Sequence, residues 1–333
     1  MGKADAHKLV ISGPDRNRSR VAVIIHGKTS RLRGLCHRLR EQFEPDFQLQ
    51  FYLTAHPGHG EELAHQAVLS GQFQLIAIGG DGTVSDVVNG MIRASEALDE
   101  DRSCQLRLGI IAKGSGNDFI RNMNRPNTLQ ALYEDVRHDN HQVVDIGQLQ
   151  FVRADEISAS RYFLNIADVG LGGVVAHRIS RLPRWIPSLI KYQFSILRTL
   201  LQYKHQAVTI EGKEMVRTGK ILALILANGK YFGKGLGIAP FANVQDGKIS
   251  AVWIGNVSIM EYLRYLPKIR KCQPIHHPEL HYFHCETLHI THLDQPLPID
   301  LDGEFIGYTP ATIDVFPHHI RVFGTLTDPR RQK

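Results

Sequence analysis

The sequence is poor in cysteine and has no long apolar run. Its four cysteines are scattered, and none stands in a C-x-x-C pair, which excludes a disulfide framework and a thiolate zinc site and favours a reducing cytoplasm. The longest apolar run, Ile221 to Ala227, is far shorter than the roughly 20 residues that span a bilayer. Any membrane contact is therefore expected to be peripheral.

The amino terminus also lacks a targeting signal. The stretch MGKADAHKLVISGPDRNRSR has no apolar segment, and Ala6 stands where a myristoylation signal needs Ser or Thr. Residues 1–18 are therefore predicted to be a mobile leader.

What the sequence does contain is enough apolar material for a large core and an excess of positive charge. Its 333 residues are 43% hydrophobic, which indicates a folded protein of two domains. The net charge of +6 favours anionic partners such as nucleotide phosphates, an acidic membrane or nucleic acid. Nucleic acid has only the charge in its favour and is not expected as a partner, and the chain is expected to be a monomer or a homodimer.

The pattern of predicted secondary structure differs between the two parts of the chain. Up to about residue 137, short β-rich apolar runs alternate with polar stretches of helical period, which predicts strand–helix units and a parallel sheet. From about residue 138 strand-like pieces dominate, with one long helical stretch from Pro187 to Tyr203, which predicts a mostly antiparallel β domain. The predicted fold class is thus α/β with an amino-terminal Rossmann-like domain, 19–137, and a carboxyl-terminal β-sandwich domain, 138–317. Residues 318–333 are predicted to be a separate segment that could return to the first domain.

A glycine-rich loop, LIAIGGDGTVSDVVNG, follows the third apolar run. Gly79, Gly80 and Gly82 would let backbone N–H groups approach a phosphate, and Thr83 is predicted to cap a helix starting at Val84. A tight strand-to-helix turn is the alternative. Asp81 favours function over folding, because a carboxylate in an anion-binding loop needs a cation or a hydroxyl between it and the phosphates.

A second such loop, GIIAKGSGNDFIR from Gly109 to Arg121, follows the next run. It combines Gly114 and Gly116 with Ser115, Asn117 and Asp118. Both loops leave the carboxyl ends of strands, where α/β sheets bind ligands. Asn117 and Asp118 could instead simply cap the next helix, and that alternative stays open.

These motifs resemble those of the diacylglycerol-kinase catalytic-domain family, in particular bacterial lipid kinases related to sphingosine and ceramide kinases. The stretch GGDGTVSDVVNG is similar to the family's GGDGT-x-N-E-x-x-N-G, with Ser85 and Asp86 in place of Asn and Glu. The loop AKGSGNDF resembles P-x-G-T-x-N-D-F with departures at Ala112, Lys113 and Ser115. Two later segments, ANGKYFGKGLGIAPFANVQDGK and LDGEFIG, complete an ordered set of four motifs.

The resemblance implies roles for particular residues. The first strand's IIHGKTS implies that His26, Gly27 and Lys28 lie near a nucleotide, and Thr54 matches a nucleotide-binding threonine. Asp302 and Glu304 fall where the family has its proton acceptor. The resemblance also implies a structural Mg²⁺ site formed by Asp246 with the backbone around Asn243 and Lys248, although only one acidic side chain is apparent there.

The chemistry implied is Mg²⁺-dependent transfer of the γ-phosphoryl group of ATP to a lipid hydroxyl. The glycine-loop amides would hold the phosphates, Asp81 would bind catalytic Mg²⁺, and Asp302 or Glu304 would accept the proton. The sequence does not decide between the last two, and a plain Asp-Gly turn remains their alternative. The acceptor could be diacylglycerol, phosphatidylglycerol or a sphingoid base.

A basic amphipathic stretch lies in the second half of the chain. From Arg181 to Lys204 it carries five cations and no acidic residue, interleaved with large apolar side chains such as Trp185 and Phe194. This pattern predicts peripheral contact with an anionic membrane, and a core-facing helix with a solvated basic face is the alternative.

Two other interpretations of the sequence remain. The histidine-rich stretch from His276 to His292 lacks a tight metal-ligand set, so surface histidines are favoured over zinc. For the whole chain, the alternatives to a lipid kinase are an NAD-kinase-like phosphotransferase with a soluble acceptor and a non-catalytic protein that binds lipid or nucleotide.

Overall fold

The computed structural model describes residues 8–9, 18–182, 188–213 and 215–326. The chain forms two compact units: residues up to Val144 together with those from Ile320 onward form the first, and Asp145–His319 form the second. Most of the predicted leader and residues 327–333 lie outside the described residues. Within the leader, Lys8–Leu9 forms a short strand that pairs with Phe51 and Tyr52.

The first unit is built on a sheet whose main strands are parallel. Apolar runs buried on both faces form three of its strands, as a sheet covered by helices on both sides requires: Ser19–Ile25, Gln74–Gly79 and Arg107–Ala112. The strands are β1 (Lys8–Leu9), β2 (Ser19–Ile25), β3 (Phe47–Leu53), β4 (Gln74–Gly79) and β5 (Arg107–Ala112).

The strand order is β1-β3-β2-β4-β5, and the end of the last strand of the chain lies parallel to β5 through Val322 and Leu108. From β2 the chain crosses first to β3 on one side and then to β4 on the other. The carboxyl ends of β2 and β4 therefore flank a switch point, which is where open α/β sheets bind ligands.

Helices cover this sheet, with leucines and phenylalanines such as Leu35, Leu39 and Phe43 turned inward. A 3-10 helix, Phe119–Asn122, follows the second glycine loop. The α-helices are α1 (Leu32–Phe43), α2 (His59–Leu69), α3 (Asp81–Ser95), α4 (Glu100–Ser103) and α5 (Leu129–Arg137).

The second unit is mostly antiparallel β-structure. Strands β8, β11, β12 and β13 form one antiparallel run, β15 pairs with β8, and β9 pairs with β10 and β14. A core of alternating apolar residues such as Phe163, Leu224 and Ile313 is fully buried. The strands are β6 (His141–Val152), β7 (Ser158–Phe163), β8 (Ile166–Gly170), β9 (Gln206–Gly212), β10 (Met215–Ile221), β11 (Ala223–Ala227), β12 (Ile249–Ile254), β13 (Leu280–Cys285), β14 (Thr287–His292), β15 (Pro298–Leu301) and β16 (Glu304–Phe323).

Three helices accompany these strands: α6 (Leu171–Arg181), α7 (Ser188–Gln202) and α8 (Ile259–Arg270). Helix α7 confirms the long helix expected from Pro187 to Tyr203. Helix α8 begins with a complete capping box, in which Ser258 accepts from the N–H of Glu261 and the Glu261 carboxylate accepts from the N–H of Ser258. No helix in the described parts of the chain is long and apolar enough to cross a membrane.

The α/β class with a mostly antiparallel second domain is confirmed. One local expectation is wrong: α3 begins at Asp81 with Gly80 at its N-cap, so Thr83 lies inside the helix and does not cap it. An aspartate is well placed in the first turn, because its negative charge faces the positive end of the helix dipole.

Candidate active site

The loops that follow β2 and β3 are joined by a hydrogen bond from a backbone N–H to a threonine side chain. The N–H of Gly27 donates to Thr54 Oγ1 at 3.0 Å, and a Cβ at position 27 would lie 2.0 Å from the carbonyl oxygen of Thr54. Only glycine fits this approach. His26 and Lys28 are exposed on the same turn, where the N–H of Lys28 donates to His26 Nδ1 at 3.2 Å. The four residues predicted to contact a nucleotide thus form one cluster.

The loop after β4 is equally tight. A Cβ at Gly79 would lie 2.4 Å from Thr83 Oγ1. A Cβ at Gly114 would lie 2.4 Å from the Cα of Gly80. The two glycine loops therefore pass each other at a separation that excludes side chains. The first N–H groups of α3, at Asp81 and Gly82, have no partners in their own helix, as at any helix amino terminus.

Asp81 connects the two loops. Its Oδ2 accepts from the N–H of Asn117 and its Oδ1 accepts from the N–H of Asp118, both at 2.8 Å. In the sequence Asp81 favours function over folding, but the structure gives it a folding role as well, because the carboxylate holds the second loop in place. Each oxygen keeps a lone pair for a further ligand, so Asp81 still fits the role of a Mg²⁺ ligand.

The second loop is closed by Asn117, a residue with φ of 56°. Its Oδ1 accepts from the N–H of Gly114 at 2.8 Å, so the Gly114 amide is already used and cannot bind phosphate as expected. Among the described residues, the amides of Ser115 and Gly116 have no such partner. The phosphate-binding prediction for this loop therefore narrows to these two groups.

Asp118 and Asn127 complete the loop. Asp118 precedes the 3-10 helix without capping it and instead pairs with Arg121, with 3.6 Å between Oδ1 and Nε. Asn127 pins the end of β5 through two hydrogen bonds with the backbone of Ala112, of 3.0 and 2.8 Å. Sequence reasoning missed Asn127, since an asparagine between Pro126 and Thr128 carries only a turn signal.

In the second unit, Asp302 and Gly303 form the two-residue turn between β15 and β16. Their φ angles are 49° and 93°, and Leu301 pairs with Glu304, as in a type I′ hairpin. Asp302 is also tied to β8: its Oδ1 accepts from the N–H of Ile166 and its own N–H donates to the Ile166 carbonyl, both at 2.9 Å. Glu304 is exposed. Asp302 and Gly303 therefore do form a turn, and this turn fixes the Asp302 carboxylate in one place.

The predicted structural Mg²⁺ residues lie on one loop, and a second carboxylate stands beside them. The amide of Lys248 donates to Asp246 Oδ1 at 3.1 Å, and Asn243 Oδ1 accepts from the N–H of Gln245 at 3.3 Å. Asp145, which is fully buried, accepts from the N–H of Gly247 at 2.7 Å. The expectation of a single acidic side chain is wrong.

Burial raises the pKa of Asp246, and the nearby Asp145 charge adds to this rise. Two carboxylates and an amide oxygen are hard donors that suit Mg²⁺.

Three histidines of the stretch from His276 to His292 are engaged with neighbouring side chains. His289 and His292 each lie 3.0 Å from a threonine hydroxyl, and His277 lies 3.0 Å from Glu261. Within the described residues, one group of three potential metal-ligating side chains occurs, and it lies elsewhere, at His56, His59 and Glu62.

The comparisons with known proteins agree with this two-part architecture. Residues 20–149 match the family model of the diacylglycerol kinase catalytic domain, and residues 165–324 match that of the YegS C-terminal NAD kinase beta sandwich-like domain. A diacylglycerol kinase of Staphylococcus carnosus is 27% identical over 279 residues, covering 83% of this chain and 85% of its own. A diacylglycerol kinase of Staphylococcus aureus is 25% identical over 298 residues, covering 90% and 89%.

Solved structures show the same fold. A diacylglycerol kinase of Bacillus anthracis superposes with a TM-score of 0.65 at 17% identity, covering 93% of this chain and 98% of its own. Yeast NADH kinase in complex with NADH superposes with a TM-score of 0.50 at 8% identity, covering 97% and 90%. Fold and motifs define a two-domain α/β protein with a NAD-kinase-like β-sandwich. Residues 20–149 match the diacylglycerol kinase catalytic domain, and the resemblance seen in the motifs is confirmed.

Proposed function

We propose that this protein is an ATP- and Mg²⁺-dependent lipid kinase that works at a membrane surface. The observation that carries the proposal is the pair of glycine loops bridged by the Asp81 carboxylate at the carboxyl ends of β4 and β5. The match of residues 20–149 to the diacylglycerol kinase catalytic domain supports a lipid as the acceptor.

The residues of the first unit would bind and orient the donor. The amides of Asp81, Gly82, Ser115 and Gly116 would hold phosphate oxygens, because side chains are excluded where the two loops meet. Mg²⁺ bound at the remaining lone pairs of Asp81 would neutralise charge on the phosphates. Asp302 would take the proton of the acceptor hydroxyl, since its carboxylate is the one held in a fixed orientation. The carboxylates of Asp246 and Asp145, with the backbone around Asn243 and Lys248, would hold the structural Mg²⁺.

Transfer of labelled phosphate from ATP into a total lipid extract tests the proposal. We expect a labelled lipid to form only when Mg²⁺ is present, and its identification names the acceptor among diacylglycerol, phosphatidylglycerol and sphingoid bases. NAD and NADH are supplied in parallel as soluble acceptors. Label in NAD(H) alone would replace the proposal with an NAD-kinase-like activity, and no transfer to any acceptor would favour a binding protein.

The membrane contact would be made by helices α7 and α8, which lie beside each other. Helix α7 buries Ser195, Ile196 and Thr199 and exposes an apolar stripe at i, i+3 and i+7 on another face. Phe194, Leu197 and Leu201 of this stripe are 53%, 40% and 70% exposed, and Met260 and Leu263 of α8 are 75% and 46% exposed.

Exposed cations accompany these apolar side chains. The alternative for this helix was a core-facing helix with a solvated basic face. Such a helix would not expose an apolar stripe. Arg184, Trp185 and Ile186 of the predicted membrane segment lie outside the described residues, as does the side chain of Lys191. The exposed cations are Arg198, Lys204, Arg264, Lys268, Arg270 and Lys271.

Charge reversal on α8 is expected to weaken binding to anionic vesicles. Cations near such a surface contribute about 1 kcal/mol each, so Arg264→Glu with Lys268→Glu should lower vesicle partitioning by about tenfold or more at low salt. Phe194→Ser with Leu201→Ser should instead remove the part of the binding that persists in high salt. Co-sedimentation with phosphatidylglycerol-containing vesicles measures both.

Two variants serve as controls for these changes. Lys213→Glu alters an exposed cation outside both helices, and Leu69→Ser removes a 51% exposed leucine of the first unit. Both should bind vesicles as the unmodified protein does. Equal sedimentation of all variants would exclude α7 and α8 as the contact surface.

A further inference from the structure

Two carboxyl groups face each other on β8 and β15, close to the Asp302 turn. Asp300 stands directly opposite Asp168 in the antiparallel pairing of the two strands. Side chains of directly opposite residues lie on the same face with Cβ atoms about 5 Å apart. Asp168 is 3% exposed. Neither residue belongs to the four motifs of the sequence.

Each carboxyl group uses one oxygen for a backbone N–H of its own segment. Asp168 accepts from Gly172 in the first turn of α6, where a Cβ at position 172 would lie 2.1 Å from Asp168 Oδ2. Asp300 accepts from the N–H of Gly303 in the hairpin turn. The other oxygen of each, Oδ1, is buried and has no hydrogen-bond partner among the described residues. A proton held between these two acceptors on opposite residues would satisfy both of them.

We propose that Asp168 and Asp300 share a single proton through their Oδ1 atoms, and that this acid–carboxylate hydrogen bond ties α6 to the Asp302–Gly303 turn. Asp168 and Asp300 are then positioning residues for Asp302. The activity part of this inference rests on the proposed function, whereas the shared proton does not.

The charges around the pair agree with one retained proton. Burial raises the pKa of Asp168 to about 7, and burial followed by the charges of Asp168, Asp302 and Glu304 raises the pKa of Asp300 well above its usual range. Tyr203 stays neutral, because burial and the Asp168 charge raise its pKa. In the described chain neither carboxyl forms an ion pair.

The helix packed on these strands supplies no neutralising partner. On α6, His177 contacts the ring of Phe305, and Arg178 donates to Thr199 Oγ1 and Gln202 Oε1. The titratable groups that bear on the pair are therefore Tyr203, Asp302 and Glu304.

The shared proton makes the turn sensitive to alkaline pH. Both turn residues have positive φ, and the Asp300–Gly303 hydrogen bond supports that conformation. When the second carboxyl ionises, two buried negative charges repel each other. A folded-state pKa above the ordinary 3.8 gives stability that is fully present below that value and is lost as pH rises through about 7.

Asparagine at either position tests the inference without losing the hydrogen bond. In Asp168→Asn the amide oxygen can accept from Gly172 while the NH₂ donates to Asp300, and Asp300→Asn is the mirror case. The melting temperature of each single variant should depend less on pH between 5 and 9 than that of the unmodified protein. The alkaline limb of the kcat profile should move up by about one pH unit or more, with the KM for ATP unchanged.

Asp314→Asn is the matched control, since that carboxylate accepts from Thr287 Oγ1 on β14. It should keep both pH dependences of the unmodified protein. Infrared spectroscopy of the unmodified protein at neutral pH provides a direct reading: a protonated carboxyl band should be present, and either single variant should remove it. A missing band, or asparagine variants with unaltered melting profiles, would overturn the shared proton. A protein without kinase activity would fail only the kcat measurement, which separates this inference from the proposed function.

Discussion

Changing Asp302 to Asn is expected to lower kcat for lipid phosphorylation by about 10²–10⁴-fold, the usual contribution of a general base. The fold should survive, because Asn is one of the few residues that tolerates the positive φ of 49° at this position. Its amide oxygen can also still accept from the N–H of Ile166. Since a base acts in the chemical step, the KM for ATP should change little.

Glu304→Gln is the matched comparison within the same turn. Glu304 is exposed, whereas Asp302 is held by β8, so the glutamine variant should lose less than about tenfold in kcat. Glu286→Gln, at an exposed carboxylate just before β14, should behave as the unmodified protein. A larger loss for Glu304→Gln than for Asp302→Asn would exchange their roles, and loss of ATP affinity alone in both would move the base elsewhere. Steady-state kinetics with ATP and the labelled lipid measure all three variants.

The elements of the fold were readable from the sequence wherever local pattern and burial agree. Helix α7 differs by one residue at each end from the helix expected between Pro187 and Tyr203. Parallel strands buried on both faces read as continuous apolar runs, and the glycines after them mark tight turns. Helix α8 was missed although Ser258 and Glu261 carry the capping-box spacing, so that signal was available.

The partners within the site could not be predicted, because they are distant in the sequence. Asp81 binds backbone groups 36 and 37 positions later, and Asp145 binds an N–H 102 positions later. No periodic pattern in the sequence indicates hydrogen bonds between residues so far apart. The sequence therefore indicates only one of the two roles of Asp81. The loop geometry gives this carboxylate a structural role in addition to the predicted catalytic one. The opposition of Asp168 and Asp300 likewise depends on strand register, which a sequence does not state.

Asp81→Asn is expected to affect both activity and stability. An amide NH₂ would face a backbone N–H of Asn117 or Asp118, which leaves one buried donor unpaired at a cost of about 1–3 kcal/mol. The melting temperature should therefore fall by roughly 2–10 °C. With one carboxylate oxygen gone, the variant should also bind Mg²⁺ more weakly, and kcat should fall by about 10²–10³-fold, as for loss of a charge-stabilising group.

The Mg²⁺ dependence of turnover separates the two roles of Asp81. If Asp81 binds Mg²⁺, the half-saturating Mg²⁺ concentration should rise in Asp81→Asn, whereas a purely structural residue would lower turnover without moving it. Asp101→Asn, at an exposed carboxylate of the same unit, should leave kcat, the Mg²⁺ dependence and the melting temperature unchanged. Near-normal turnover in Asp81→Asn would remove Asp81 from the catalytic site and leave it as the residue that joins the two glycine loops. A lowered melting temperature with normal turnover would support that structural role alone, because the hydrogen bonds to Asn117 and Asp118 would then account for the whole effect.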